Sequence, residues 1–200
     1  MEIIIQIMRN AIKFINNPIN FITCISILGI IIIFFTCDKS KINVLGIIKN
    51  HLRTLRVFGE SKVSISDVGI LFILPMFASI ILTIHMKIDD TRIGILVTAF
   101  TIFIGLLFNI LAIIFAFDVV RNKNIDKIIL KEVLYNVAFS IIIAIAVIIM
   151  SIVMFINLNE CLYKILKFIL IYFMVVFILT LFMVLKRLFN LLIIKIDNIH

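Results

Sequence analysis

The feature that most restricts this chain is a set of apolar runs, each about as long as a bilayer is thick. A helix rises about 1.5 Å per residue and the hydrocarbon core is about 30 Å across, so a span needs roughly 20 mainly apolar residues. Five runs qualify, at about 19–36, 68–86, 93–117, 134–156 and 165–185. Composition agrees: 64% of the residues are hydrophobic and 15% charged, against about 45–50% and about 25% in a soluble domain. The expectation is an all-α integral membrane protein, a single membrane domain over 1–200 with four to five transmembrane helices arranged largely as two hairpins and flanked by amphipathic interfacial helices.

The first run, INFITCISILGIIIIFFT, is uncharged and follows Pro18, a residue tolerated at a helix start. If it lies flat or re-enters, four spans remain. The second contains Pro75, which removes a backbone donor and predicts a kink. Ser66 or Asp67 can cap it. Asp89, Asp90 or Thr91 can cap the third, so the second and third spans are expected to form a tight hairpin. The fourth and fifth, joined by NLNECLYK, read as another.

Outside the spans two segments keep the helical period. In MEIIIQIMRNAIKFINN (1–17) the polar residues Glu2, Gln6, Arg9, Lys13 and Asn16 share one face, which predicts a helix in the headgroup layer. No charged leader and cleavage site precede it, so the N-terminus is expected to be retained. Within the basic 37–67 loop, Lys49, Arg53 and Arg56 lie opposite Ile48, Leu52 and Leu55. That basic face is expected to rest on lipid headgroups or to meet a cytosolic partner protein.

The loops also set the orientation. With five spans, the N-terminal segment, the 87–92 turn and the 157–167 region hold six of the 19 Lys and Arg, and the 37–67 loop, the 118–133 loop and the C-terminal tail hold thirteen. The richer side is expected to be cytoplasmic, with the C-terminus inside. The formal charge of +8 is distributed as topology determinants are, so direct nucleic-acid binding is not expected.

The third span carries the candidate site. Gly94, Thr98, Thr101, Gly105, Asn109, Ala112 and Ala116 are all small or polar, and their spacing keeps them on one helical face. In a bilayer, small residues let another helix approach closely and polar ones bond across the contact. A helix-packing surface, including one between copies of a homo-oligomer, is the first reading. A pore lining is the second, since Asn109 needs a partner or water within the apolar layer. Asn136, Ser140, Ala144 and Ser151 make a weaker stripe on the fourth span, expected to face the first. The fifth span, bulky with Phe168, Tyr172, Phe173, Phe177 and Phe182, is expected at the lipid-facing perimeter.

Other chemistry finds little to build on. Cys24, Cys37 and Cys161 are scattered and match neither a disulfide framework nor a zinc site. His85, Asp89 and Asp90 are better explained by helix ends than by a metal. No ionisable residue lies at the centre of a span, which disfavours proton-coupled transport. Neither a catalytic motif nor a phosphate-cradling glycine loop occurs. No catalytic residue, metal or cofactor is expected.

The segment from Ser64 to Phe117 resembles small bacterial membrane proteins that accompany phage-defence genes, Kiwa-type membrane subunits among them. The likeness rests on Ile65 to Asp67, on Pro75, on Asp89 and Asp90 in the turn, and on GLLFN at Gly105 to Asn109. It implies a component of the bacterial cytoplasmic membrane that senses infection or disrupts the membrane, with a cytosolic partner. The functional expectation is a non-enzymatic sensor or effector of anti-phage defence, working as a homo-oligomer. A transporter or permease subunit, or a self-immunity protein against a bacteriocin, is the alternative.

Overall fold

The computed structural model describes residues 44–55, 65–116, 124–155 and 160–197. The chain divides into two compact units, Met1–Gly46 and Ile47–His200. Only the last three residues of the first are described, so the fold that follows is that of the second. The expected 1–17 helix, the 19–36 span and Arg56 lie outside the described residues.

Five helices make up the described chain: α1 (Val44–Arg53), α2 (Ile65–His85), α3 (Asp90–Ala116), α4 (Asn124–Val153) and α5 (Glu160–Asp197). Four are long and apolar enough to cross a membrane, over Val68–His85, Asp90–Ile114, Ile129–Val153 and Leu162–Asn190. Each of these helices begins before its apolar run, and α5 also continues past it. At the start of α3, Asp89 Oδ1 accepts from the Arg92 backbone N–H at 2.9 Å, satisfying one of the donors a helix N-terminus leaves open. α2 continues as helix through Pro75, which is buried.

α4 and α5 form the inner pair of the bundle, with α3 packed on α4 and α2 on α5. This corrects the expectation of α5 as a perimeter helix. Its aromatic rings point both ways: Phe177 is 1% exposed and Phe182 63%. The buried line Leu170, Phe177 and Val184 repeats every seventh residue, the period of a helix seam that keeps facing its partner. On α4 and the turn that follows it, the buried positions Val133, Val137, Ser140, Ala144, Val147, Ser151 and Met154 alternate spacings of four and three. Ser140, Ala144 and Ser151 thin that face, so bulk on α5 is accommodated by its absence on α4.

α3 packs on α4 through Ile93, Phe100, Leu107 and Ile114, again every seventh residue. It also reaches α5, with the Phe100 and Phe103 rings 4.9 and 5.4 Å from that of Phe177. The expected α2–α3 hairpin does not pack as one. The two helices are joined by a short turn, yet α2 lies against α5 and no α2–α3 packing occurs among the described residues. The reason lies in what α2 buries, Leu71, Pro75 and Ser79, and in the bonds that tie its end to α5. Tyr163 Oη donates to Ile88 O and Lys167 Nζ to Thr83 O, each at 2.8 Å. The α4–α5 pair does pack as expected.

Candidate functional site

The bundle carries two polar faces. The first is the α3 stripe. Gly94, Thr98, Thr101, Gly105, Asn109 and Ala112 are all exposed; the side chain of Ala116 is outside the described residues. At about 100° per residue the stripe lies roughly 150° from the buried line Ile93–Phe100–Leu107–Ile114. A Cβ placed on Gly94 or Gly105 would meet nothing within 4 Å. The two hydroxyls turn back on their own helix, Thr98 donating to Gly94 O at 2.9 Å and Thr101 to Val97 O at 2.8 Å. Asn109 has no hydrogen-bond partner among the described residues.

The second face runs along α4 and is buried. Asn136, Ser140 and Ser151 are 0% exposed, as is Thr180 opposite on α5. Ser140 Oγ lies 2.9 Å from Asn136 O and 3.1 Å from Thr180 Oγ1, and Thr180 donates to Phe177 O at 2.8 Å. The expectation that the α3 and α4 stripes face each other is therefore overturned. The α4 face is filled by α5 and α1, whereas α3 meets α4 with its large apolar side chains.

Where α4 begins and α5 ends, the α4 face widens into a cluster with α1. Of the two ways the Asn136 amide can lie, only one matches its oxygen to donors and its nitrogen to acceptors: Nδ2 toward His51 Nδ1 at 2.8 Å and Thr54 Oγ1 at 3.1 Å, and Oδ1 toward Arg187 Nη1 and Nε at 3.1 and 3.2 Å. Thr54 Oγ1 donates to His51 O at 2.7 Å. Arg187 Nη2 donates to Thr54 O at 2.8 Å, and its Nη1 pairs with Glu132 Oε2 at 3.1 Å. One guanidinium thus ties the C-terminal end of α1 to both α4 and α5.

His51 is completely buried, its ring stacked on Phe139 with centroids 3.9 Å apart. Because Nδ1 accepts from the amide, the ring is neutral with its proton on Nε2, and Nε2 has no partner among the described residues. Burial is the main reason its pKa falls from 6.5 to about 4; Arg187 pushes the same way, and only an amide oxygen turned toward the ring would oppose them.

This cluster alters the reading of the basic segment. Lys49 and Arg53 are exposed as expected, with Arg53 Nη1 3.4 Å from Asn50 Oδ1. The buried face, however, is not Ile48–Leu52–Leu55. Leu52 is 37% exposed and His51 takes its place, flanked by half-buried Ile47 and Ile48 and by buried Leu55. A histidine displaces a leucine from the contact because Asn136, Phe139 and Arg187 await it. The sequence carried one signal for this: Ile47, His51 and Leu55 are spaced by four. Nothing in the sequence joined them to Glu132, Asn136 or Arg187.

No protein-family model, no curated protein and no solved structure matches this chain.

Proposed function

We propose that this is a non-enzymatic, multi-pass protein of the bacterial cytoplasmic membrane that acts as a homo-oligomeric sensor or effector in anti-phage defence. The observation that carries the oligomer is the outward α3 stripe. In a helix that packs by its large apolar side chains, a continuous small and polar face directed away from its own bundle is suited to a second copy or to an aqueous path between copies. Asn109 supports this reading, since a lone amide facing lipid costs on the order of several kcal/mol. The defence setting rests on the resemblance over Ser64 to Phe117.

The orientation with α1 and the C-terminus inside is supported by the polar cluster, which gathers α1, the start of α4 and the end of α5 at one end of the bundle. The loops reaching that end are the basic ones. Lys49 and Arg53 then face anionic headgroups or a cytosolic partner. The test is membrane potential in bacteria expressing the chain, before and during phage infection, beside Asn109→Leu. Depolarisation that requires Asn109 is the expected result. A steady potential in both conditions rejects the conducting assembly.

A further inference from the structure

We infer that α1 is a releasable latch, docked on the α4–α5 seam through the Asn136 amide and undocked when His51 takes up a proton. This inference concerns the cluster of α1, α4 and α5 and is independent of how α3 associates. Its basis is the hydrogen-bond arithmetic of one side chain.

A primary amide has one acceptor oxygen and one donor nitrogen. In the docked state the oxygen serves Arg187 and the nitrogen serves His51 and Thr54. If His51 binds a proton at Nδ1, that nitrogen becomes a donor facing a donor. Rotating the amide presents its oxygen to the imidazolium but turns its NH2 toward the Arg187 guanidinium. Asn136 can therefore satisfy Arg187 or a charged His51, and not both.

Charge leads the same way. The charged groups at the cluster, among the described residues, are Arg187 from α5 and Glu132 from α4, already paired with each other. Lys49 and Arg53, the neighbouring charges on α1, are exposed. Protonation would add a second cation to a cluster whose carboxylate, Glu132, is already paired with Arg187, in a site that excludes water from the ring.

α1 is also the element least able to resist. It has 10 residues, below the length at which a helix stands alone in water. It leaves His51 Nε2 without a partner among the described residues, a further cost to docking. Once released, its polar and apolar faces suit the lipid surface.

The sign follows from linkage. His51 holds its proton less tightly docked, near pH 4, than free, near pH 6.5. Docking is at full strength above about pH 6.5, weakens as pH falls toward about 4, and changes no further below that. Between pH 8 and pH 5 the released-to-docked ratio should rise on the order of 30-fold.

The experiment is double electron–electron resonance on the full chain in nanodiscs, with Cys24, Cys37 and Cys161 replaced by serine. Spin labels go on the exposed positions Leu52 of α1 and Phe189 of α5. A second distance population whose ratio to the first grows on the order of 30-fold from pH 8 to pH 5, and fails to grow in His51→Gln, is expected, because glutamine keeps an acceptor for the amide and cannot titrate. A label pair at Ile95 and Phe182 should report an unchanged bundle. The latch is overturned by a pH-independent Leu52–Phe189 distance, by equal growth in His51→Gln, or by a bundle distance that shifts in parallel.

Discussion

α3 and α4 carry small and polar residues at the same kind of spacing, and the fold turns one set outward and the other inward. The difference lies in the neighbours. The α4 set meets groups that complete it: Thr180 and Arg187 on α5, His51 on α1 and Thr54 in the turn after it. The α3 hydroxyls close on carbonyls of their own helix and require nothing across an interface. Periodicity says which residues share a face. Which way that face points depends on whether another element supplies matching donors and acceptors.

The sharpest way to break this comparison is one substitution made on both faces. Asn136→Leu removes the hub of the cluster, and Arg187 and Thr54 each lose a bond to it; the loss should be about 2–4 kcal/mol. Asn109→Leu should change the stability of the single chain by less than about 0.5 kcal/mol. Reversible unfolding in mixed micelles checks both, and equal losses would put Asn109 inside the bundle.

Bulk makes a second pair. Leucine at Ala144, which is 0% exposed within the core, should overpack the α4–α5 seam and cost about 1–3 kcal/mol. Leucine at Gly105 has open space in the single chain, so the fold should tolerate it while self-association weakens by about tenfold or more, equivalent to about 1.4 kcal/mol. Crosslinking in native membranes reads the second effect, and an unchanged oligomer would remove the α3 stripe from the interface.

The smallest contrast concerns hydroxyls. Thr180→Val strips Ser140 of a buried neighbour and should cost about 1 kcal/mol. Thr98→Val, whose hydroxyl serves only its own exposed turn, should stay within about 0.5 kcal/mol. A larger loss at Thr98 than at Thr180 would invert the assignment of inside and outside.

Length and hydropathy alone located the four described spans, because a bilayer sets a minimum apolar length that few other environments demand. They also placed a cap in the turn before α3, where Asp89 accepts from Arg92 N–H. The inner position of α5, between α2 and α4, could not be read in the same way. α5 is apolar nearly all round, so its buried line of Leu170, Phe177 and Val184 competes with other lines of similar character. The same uniformity hid the pairing of α2 with α5.

The sequence by itself determined that the chain is helical, where four helices run, and that Gly94 to Ala112 share a face, since these follow from bilayer thickness and the 3.6-residue turn. Only the tertiary structure decided that this face points outward, that α5 packs between α2 and α4, and that His51, Asn136, Glu132 and Arg187 meet. Contacts between residues as much as 133 positions apart, as Arg187 is from Thr54, depend on which helices lie side by side. No local period encodes that.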